Sequence, residues 1–453
     1  MAYRDLRDFL KVLEQDGELL KIQQELSARF ELSATLKLVN DGQAMQFENV
    51  TEYPGRKVVA NVLGTRRRVA RFMGVPEETL TQSFIDRKGR QIPPRVTSGG
   101  PVKEIIIREN IDLIALLPAL TYHEKDVGPY LTSAITIARD PATGKQNMGL
   151  HRIQLKGGSK LGSLLANPPV ATFWQHAELA GRDLEVAIAI GVDPAVTLGA
   201  MTKATAEGPD KFAIAGSIKG EAIELTQAES VNLLVPARAE IILEGRVIAG
   251  YREQEGPFGE NTGHYFQFDN PVIEVHTVTH RRDFIYHTLQ VWGAEVDVLL
   301  TLGGSSEILT TLKKIVPALK DISFTPGTCI FNAVASVQGA NPAEVRRLMN
   351  LILSMDKRIK QITVVDDDVN IFDMREVQWA LATRFQADRD LLLVTGLKGY
   401  VIDPSVDATG LTAKLGLDAT KKGGDLSRFE KISIPPESTA RAVKALKSAG
   451  VAF

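Results

Sequence analysis

Two glutamates five residues apart, Glu255 and Glu260, flank the stretch Gly-Pro-Phe-Gly and are the first residues that point to chemistry. Pro257 has a restricted φ, and each glycine can adopt a positive φ or bring the backbone close to a ligand, so the stretch predicts a tight turn rather than a helix. Such a turn would hold both carboxylates at one site. A connection between strands with two solvated acids explains the same residues equally well, because loops are commonly polar without being functional.

A second stretch, from Asn147 to Arg152, places an amide, a histidine and an arginine on a predicted strand. Alternate side chains on a strand share a face, so Asn147 and His151 would face one way and Arg152 the other, unless a bulge intervenes. The planar guanidinium of Arg152 can bind a carboxylate through two hydrogen bonds. Together with Glu255 and Glu260, it would form either an anion clamp with a general acid or a structural ion-pair network.

The composition limits the class of protein. A chain of 453 residues is long enough for two or three domains. Charged residues make up 24% and the net charge is −2, so no overall field favours nucleic acid or a membrane surface. Cys329, the only cysteine, lies in an apolar run, which excludes an internal disulfide and predicts a buried, inert thiol. Without a signal-peptide core or a long apolar run, we expect a soluble cytoplasmic protein.

Hydrophobic periodicity and turn signals predict three domains. Residues 1–100 indicate a small α/β domain that opens with an amphipathic helix and ends at a Thr-Ser-Gly-Gly-Pro linker. Residues 101–302 contain short strands broken by glycine, proline and aspartate, which indicate a β-barrel or folded sheet. In residues 303–453, helices alternate with strands, beginning with a predicted helix over 306–319, and this predicts a parallel sheet. The expected fold class is therefore multidomain α/β with a central β-barrel.

Four motifs at fitting distances carry a resemblance to a known family: Asn147-x-Gly-x-x-Arg152, Glu255-Gly-Pro-Phe-Gly-Glu260-x-x-Gly263, Ala187-Ile-Ala-Ile-Gly-Val-Asp-Pro194, and Val365-Asp-Asp-Asp-Val369 with Trp379-Ala-Leu-Ala-Thr-Arg384. Together they resemble the UbiD family of reversible (de)carboxylases, and most closely its phenolic-acid and heteroaromatic-acid decarboxylases. The resemblance spans nearly the whole chain. It therefore favours a catalytic role for the glutamates over a structural one.

The resemblance implies a split β-barrel that binds prenylated FMN, a C-terminal domain that forms a homodimer or larger oligomer, and a flavin prenyltransferase that supplies the cofactor. Glu260 would protonate the carbon that loses CO2, Arg152 would orient the substrate carboxylate, and Glu255 would hold Arg152. Departure of CO2 leaves a carbanion-like centre that needs an electron sink, which no side chain supplies. The stretch implied to line the cofactor comprises Asn147, Met148, Gly149, Leu150, His151 and Arg152.

The sequence departs from the family at the metal site. Relatives hold the cofactor phosphate through a divalent ion such as Mn²⁺, often with K⁺ beside it, and the divalent ion takes an asparagine, a histidine and a glutamate as ligands. Asn147 matches the first ligand, but Pro168 and Lys211 stand at the other two positions, and neither side chain binds a cation. We expect Lys211, with Lys203, to supply the positive charge instead. Alternatively, the departures mark a chain that has lost the cofactor.

By position, the candidates for lining the substrate pocket are Asn261, His287, Gln290, Trp292 and Leu300. Hydrogen-bonding groups beside an indole suit a flat polar ring. The predicted function is non-oxidative decarboxylation of an aromatic, heteroaromatic or α,β-unsaturated acid with prenylated FMN. An FMN-dependent oxidoreductase on the same barrel and a non-catalytic cofactor-binding or assembly subunit are the alternatives. A metal-dependent hydrolase is disfavoured because the sequence lacks the ligand cluster it would need.

Overall fold

The computed structural model describes residues 3–39, 41–423 and 425–450. Within these ranges the chain forms four β-sheets and the helices that pack on them. No helix in the described ranges combines the length and the apolar character that crossing a bilayer requires.

The first hundred residues form a small sheet with helices around it. Helix α1 begins where the Asp5 carboxylate accepts the backbone N–H of Asp8 at 3.1 Å, and the apolar side chains at helical spacing along α1 are buried, as predicted. The elements are α1 (Leu6–Gln15), β1 (Leu19–Ile22), α2 (Glu31–Leu38), β2 (Ala44–Phe47), β3 (Lys57–Ala60), α3 (Arg66–Met73), α4 (Leu80–Lys88) and β4 (Arg95–Thr97).

A curled antiparallel sheet of nine strands forms the middle of the molecule. The strands pair in the order β6-β9-β10-β15-β14-β11-β7-β8, and β5 joins β15 from the side. Two strands of 19 and 16 residues, β14 and β15, form the long hairpin that carries the glutamates. The strands are β5 (Ile105–Ile107), β6 (Tyr130–Leu131), β7 (Ile135–Arg139), β8 (Gln146–Leu150), β9 (Ile153–Gly157), β10 (Lys160–Ser163), β11 (Leu184–Ile190), β14 (Ile241–Gly259) and β15 (Tyr265–His280).

The segments before and after this sheet are joined to it through shared cores. Strand β16 (Ile285–His287) leaves the long hairpin and pairs in parallel with β3, so that the first sheet reads β1-β2-β3-β16. One hydrophobic core contains both Phe9 and Val196, which lie in the first and second segments of the chain. The remaining elements here are α5 (Leu113–Leu116), α6 (Val170–Leu179), α7 (Pro194–Ala200), α8 (Lys211–Lys219), and β12 (Glu224–Gln227) with β13 (Leu234–Pro236), which pair with β4.

The C-terminal segment has its own core and a five-stranded sheet in the order β17-β18-β19-β21-β20. The three central strands are parallel, as predicted, whereas both edge strands are antiparallel to their neighbours. The elements are α9 (Ala294–Leu312), β17 (Leu319–Phe324), β18 (Asn332–Val337), α10 (Pro342–Met355), β19 (Gln361–Asp366), α11 (Met374–Arg384), β20 (Leu391–Lys398), β21 (Leu411–Asp418) and α12 (Pro436–Ser448).

The helix predicted over 306–319 is wrong in its bounds, because α9 begins at Ala294 and ends at Leu312. A glycine pair, Gly303 and Gly304, lies within this helix. These glycines allow close packing: a Cβ on Gly304 would lie 2.6 Å from the Phe324 ring. Tertiary packing has therefore overridden the local propensity.

The stretch between the two glutamates is a bulge in a continuing strand, and the predicted turn lies further along the chain. Strand β14 extends to Gly259, and its register with β15 shifts between Glu255 and Phe258. Gly256 has a φ of 101°, and a Cβ there would lie 2.6 Å from the carbonyl oxygen of Phe266. The chain reverses after Glu260, whose backbone N–H donates to the His264 carbonyl at 2.8 Å.

We expect Gly245→Ala to destabilise the long hairpin. Gly245 lies where the β14–β15 register shifts, and a Cβ there would lie 2.2 Å from the Glu274 carbonyl oxygen. Separating the strands should cost about 1–3 kcal/mol and lower the midpoint of thermal unfolding. Gly128→Ala is the control, because its Cβ would meet no atom within 4 Å. Equal melting temperatures for the two variants would contradict the expectation.

Candidate active site

An arginine and two glutamates meet at the distal end of the β14–β15 hairpin. Arg152 lies in the two-residue connection between β8 and β9, Glu255 lies on β14, and Glu260 follows β14 directly. Nη2 of Arg152 donates to Oε2 of Glu255 at 2.6 Å, and Nη1 donates to Oε1 of Glu260. One guanidinium thus joins the two carboxylates that the sequence predicted at one site.

The predicted strand that carries Asn147 to Arg152 is interrupted at His151 and Arg152. Strand β8 ends at Leu150 and β9 begins at Ile153, so the alternation of faces stops at His151 and Arg152. The break turns the Arg152 side chain towards β14. Long-range pairing of β8 with β7, and of β9 with β6 and β10, produces this break, and the local sequence carries no sign of it.

The cluster is almost dry. Glu255 is fully buried and Glu260 is 8% exposed. Burial works against the charge of Arg152, but the carboxylates of Glu260 and Glu255 outweigh it and raise the pKa of Arg152 above its usual value. The guanidinium therefore stays charged at any pH at which the protein is folded.

Glu255 is anchored from the opposite side by Asn270 on β15. Nδ2 of Asn270 donates at 2.9 Å to the same Glu255 oxygen that accepts from Arg152. The other oxygen, Oε1, is buried without a hydrogen-bond partner, and so is the hydroxyl of Tyr130. Burial and the charge of Glu255 raise the pKa of Tyr130, which therefore remains a neutral donor beside the cluster. Unsatisfied buried atoms of this kind are uncommon outside functional sites.

Two phenylalanines flank the guanidinium. The centre of the Arg152 guanidinium lies 5.1 Å from the Phe258 ring centroid and 5.6 Å from that of Phe268. Phe258 packs in turn on Tyr130, with ring centroids 4.0 Å apart. Aromatic faces attract the cation and exclude water, which strengthens the ion pairs that they enclose.

Asp126 positions the end of the hairpin and was missed from the sequence, where no spacing or motif marks it. Its Oδ1 accepts the backbone N–H of Gly259 at 2.8 Å, while Oδ2 accepts those of Tyr122 and His123. Gly259 is required here because a Cβ would lie 2.4 Å from Nδ1 of His123. This contact fixes the backbone next to Glu260.

The residues implied to hold the cofactor lie along β8 and against the start of α8. Oδ1 of Asn147 accepts the backbone N–H groups of Met148 at 3.0 Å and Lys211 at 3.2 Å, and Nδ2 donates to the Pro209 carbonyl at 3.0 Å. The Met148 side chain lies in the hydrophobic core, with Leu150 packed against that core. Asn147 thus joins two segments that are distant in sequence.

His151 and Lys211 are buried near each other with few partners. Both ring nitrogens of His151 lack a hydrogen-bond partner, and a Cβ on Gly149 would lie 2.8 Å from its Cε1. Burial, with the charge of Lys211, lowers the pKa of His151 to about 4. Burial, with the charge of Lys88, lowers the pKa of Lys211 to about 7. Neither side chain has found a compensating charge within the protein.

The other proposed cofactor lysine lies elsewhere. Lys203 is half-exposed and forms an ion pair with Asp356 of the C-terminal segment, with Nζ 2.9 Å from Oδ2. Lys203 therefore has an ion-pair partner that the sequence did not reveal. This ion pair competes with the expected role of Lys203 beside Lys211.

The described residues do not fit a divalent cation. No group of three or more histidine, cysteine, aspartate or glutamate side chains in the described ranges is placed to hold a metal ion. Pro168 offers no ligand atom. His176, the histidine nearest to it in sequence, lies on α6 with Nδ1 2.8 Å from Oδ1 of Asp140.

Two of the five candidate substrate residues, Asn261 and Trp292, meet at the tip of the glutamate hairpin. Oδ1 of Asn261 accepts the Trp292 backbone N–H at 2.8 Å. His287 Nε2 and Gln290 Oε1 are buried without partners. Leu300 instead packs against the C-terminal core.

Sequence reasoning missed Glu295, a fully buried acid on the first turn of α9. Its Oε1 accepts the Leu63 backbone N–H at 2.7 Å and lies 3.9 Å from Nε2 of His287, whereas its Oε2 has no partner. Only the tertiary structure places this carboxylate beside His287.

A loop of the C-terminal segment faces the glutamates. The apolar run that contains Cys329 becomes a strand only at Asn332, because Cys329 and Ile330 have φ values of 50° and 60°. Cys329 is buried, as expected, and burial together with the charge of Glu260 raises the pKa of its thiol to about 12, so it is an inert neighbour. The Trp292 indole donates to the Gly327 carbonyl at 2.8 Å and ties this loop to the barrel.

Three family models match successive parts of the chain. The N-terminal domain of 3-octaprenyl-4-hydroxybenzoate carboxy-lyase matches residues 10–88, the Rift-related domain matches 95–294, and the C-terminal domain matches 297–419. The chain belongs to the UbiD family. It is accordingly an enzyme of the carboxy-lyase class.

Solved structures agree with this assignment. The UbiD-class enzyme HmfF from Pelotomaculum thermopropionicum, in complex with FMN, is 39% identical, with a TM-score of 0.93 over 97% of this chain and 99% of that one. An evolved dimeric form of HmfF, in complex with prFMN, is 38% identical, with a TM-score of 0.88 over 96% of this chain and 98% of that one. These superpositions confirm the predicted fold class.

Two curated relatives differ in their reported substrates. Anhydromevalonate phosphate decarboxylase from Methanosarcina mazei is 33% identical over 95% of this chain and 99% of its own length. Phenolic acid decarboxylase from Bacillus subtilis is 31% identical over 93% of each chain. Both relatives are decarboxylases.

Asp297 gives a pH-dependent test of how the C-terminal loop docks. Its Oδ2 accepts the Gly327 N–H at 2.8 Å, and burial raises its pKa to about 6 despite that bond and the charge of Lys37. The pKa of an aspartate in an unfolded chain is about 3.9. Because the folded state holds the proton more tightly, its free energy of unfolding falls as pH rises from about 4 through about 6. Asp297→Asn keeps the acceptor without the charge. We therefore expect it to raise the melting temperature, relative to wild type, at pH 8 but not at pH 4.

Thermal unfolding of wild type and Asp297→Asn at both pH values measures this difference. Asp269→Asn, at an exposed position of β15, is the control that removes a carboxylate without a burial penalty. The same shift at both pH values for Asp297→Asn would contradict the assigned cause.

Proposed function

We propose that the protein removes CO2, reversibly and without oxidation, from an aromatic, heteroaromatic or α,β-unsaturated carboxylic acid with the aid of prenylated FMN. The observation that carries this proposal is the buried Arg152 shared between Glu255 and Glu260. A guanidinium provides the two-pronged partner that a substrate carboxylate needs. A carboxylic acid next to it provides the proton that the carbon needs after CO2 departs.

The two glutamates are suited to different roles because they are held differently. Glu255 is held rigidly, because one of its oxygens accepts hydrogen bonds from both Arg152 and Asn270 and its side chain is fully buried. Glu260 is held by Arg152 and by the backbone N–H of Asn261 at 3.2 Å, and it keeps some exposure. We assign Glu255 to positioning Arg152. Glu260 would exchange its bond with Arg152 for the substrate carboxylate, take up a proton from solvent, and then donate that proton to the carbon that has lost CO2.

The cofactor assignment is supported by HmfF, which carries FMN or prFMN, and by the residues around β8. The unpartnered nitrogens of His151 and the buried ammonium of Lys211 are groups that a bound anionic cofactor would satisfy. Prenylated FMN, when bound, supplies the electron sink for the charge left by CO2. A flavin prenyltransferase would have to supply it to this chain.

The substrate assignment is supported by unpartnered polar atoms in the segment that follows the glutamate hairpin. His287 Nε2, Gln290 Oε1 and Glu295 Oε2 are buried without partners. Leaving such atoms unpaired costs free energy, so a ring that carries a hydroxyl or N–H group would bind better than a plain one. The carboxylate of Glu295 would repel a second carboxylate on the substrate. These features favour a monocarboxylic acid with a hydrogen-bond donor, which agrees with the phenolic acid decarboxylase relative.

A second candidate substrate follows from the other curated relatives. Anhydromevalonate phosphate decarboxylases from two organisms cover 94% and 95% of this chain. The similarity to these enzymes favours, for this chain, an α,β-unsaturated acid that also carries a phosphate. A panel of acids should therefore contain both kinds of substrate.

Glu295→Gln should change substrate preference without preventing folding. The amide keeps an acceptor for the Leu63 N–H but removes the negative charge. We expect the ratio of kcat/KM for a monocarboxylic ring acid to that for its dicarboxylic analogue to fall by about tenfold or more, as loss of a charge repulsion in a dry pocket would produce. Glu274→Gln, at an exposed position of β15, is the control. An unchanged ratio would remove Glu295 from the substrate pocket.

The proposal is tested with protein co-expressed with a flavin prenyltransferase and purified without oxygen. Mass spectrometry of the released small molecule should find prenylated FMN, and the holoprotein should release CO2 from at least one acid of the panel. Ordinary FMN with consumption of NAD(P)H would favour an oxidoreductase. Retained prenylated FMN with no turnover of any acid would favour a non-catalytic subunit.

Glu260→Gln should retain the cofactor and lose turnover by about a hundredfold or more, because the amide keeps a bond to Arg152 but has no acidic proton to donate. Glu253→Gln is the matched control, since Glu253 lies on the same strand but pairs with Lys160 at 2.8 Å at the surface. Released flavin and the rate of CO2 formation are measured for both variants. Near wild-type turnover in Glu260→Gln would eliminate the assigned proton donor.

A further inference from the structure

We propose that Lys211 neutralises the phosphate of the flavin cofactor in this chain, in the place where the family resemblance implies a divalent cation. The inference rests on the proposed function, because it concerns the same cofactor. It goes beyond that function by assigning a different physical basis to cofactor anchoring, with a lysine instead of a metal ion.

The one matching metal ligand is already occupied by the protein. Oδ1 of Asn147 accepts two backbone N–H groups, from Met148 at 3.0 Å and Lys211 at 3.2 Å. The amide nitrogen donates to the Pro209 carbonyl at 3.0 Å. The reversed orientation would set the amide N–H2 against two N–H donors, so the hydrogen bonds fix which atom is the oxygen. With both lone pairs used, Asn147 has no oxygen electrons to offer a metal ion.

The other two ligand positions cannot replace it. Pro168 has no side-chain ligand atom, and Lys211 places a cation where a carboxylate would be needed. The nearest acid, Asp210, is the N-cap of α8 and accepts the Phe212 N–H at 2.8 Å. These positions therefore provide positive charge but no ligand set for a metal.

The ammonium of Lys211 lacks an anionic partner. Lys211 is only 2% exposed, and its Nζ donates to a single neutral acceptor, the Ala200 carbonyl at 2.9 Å. Among the described residues, no carboxylate lies within ion-pairing distance of this nitrogen. An ammonium has three donors, and buried charges are normally paired. A phosphate monoester carries a charge of about −1.5 to −2 and three acceptor oxygens, and would supply what is missing.

His151 gives an independent sign that a ligand is missing at the same place. It is buried, and neither ring nitrogen makes a well-aligned hydrogen bond, with the backbone groups of Asn167 and Gly149 as polar neighbours of the ring. It follows β8 directly, close enough to Lys211 for the two charges to interact. A neutral imidazole can donate one N–H to an anion. Lys203 is not part of this arrangement, because it pairs with Asp356.

The test compares FMN with riboflavin, which has the same ring but no phosphate. Purified apoprotein is titrated with each flavin, and binding is followed by quenching of flavin fluorescence. We expect wild type to bind FMN at least tenfold more tightly than riboflavin. Lys211→Met should abolish this preference and leave riboflavin affinity unchanged. Lys145→Met is the control, because Lys145 is exposed and lies two residues before Asn147.

The same titrations are repeated after treatment with EDTA and after addition of MnCl2, with elemental analysis of the protein. FMN affinity should be the same in all three conditions, with no stoichiometric divalent metal. FMN affinity that depends on manganese, or an unchanged preference in Lys211→Met, would overturn the inference. The manganese comparison decides the question in wild type even when Lys211→Met does not fold. A wild type that binds neither flavin would overturn the proposed function as well.

Discussion

The structure of the site depends on a single buried arginine shared by two carboxylates. Burying Arg152, Glu255 and Glu260 is costly unless each charge is paired, because the desolvation penalty is several kcal/mol per ion. The bulge in β14, the break between β8 and β9 and the two flanking phenylalanines all place charges and aromatic faces around that guanidinium. The barrel therefore brings the connection between β8 and β9 and the distal end of the β14–β15 hairpin, which are distant in sequence, to one point.

The residue types at the site could be predicted from the sequence, but their arrangement could not. Glu255, Glu260 and Arg152 stand out because charged residues are rarely buried, and because each glutamate adjoins a glycine of the Gly-Pro-Phe-Gly stretch. The bulge, and the displacement of the turn beyond Glu260, arise from pairing with β15, whose register no local pattern encodes. The bounds of α9 were mispredicted because tertiary packing sets them: Gly303 lies against the Met201 backbone and Gly304 against the Phe324 ring.

The supporting residues were invisible for a different reason. Asp126, Asn270 and Glu295 each support the site through a hydrogen bond to a residue on another element of the chain, so they belong to no local motif. The departures at Pro168 and Lys211, in contrast, could be predicted by comparison with a family pattern. The structure adds that the Asn147 side-chain oxygen already accepts two backbone N–H groups. This agrees with our proposal that Lys211, and not a metal ion, neutralises the cofactor phosphate.

The central claim is that the carbon that loses CO2 takes up a proton in its place, from an acid that exchanges with solvent, and that no oxidation occurs. We assign that acid to Glu260. The most direct measurement is decarboxylation of an accepted acid in D2O, with the product analysed by NMR and mass spectrometry. The account predicts one deuterium, located on the carbon that carried the carboxyl group, together with one CO2 per product. A product oxidised at that carbon, or deuterium located elsewhere in the molecule, would contradict it.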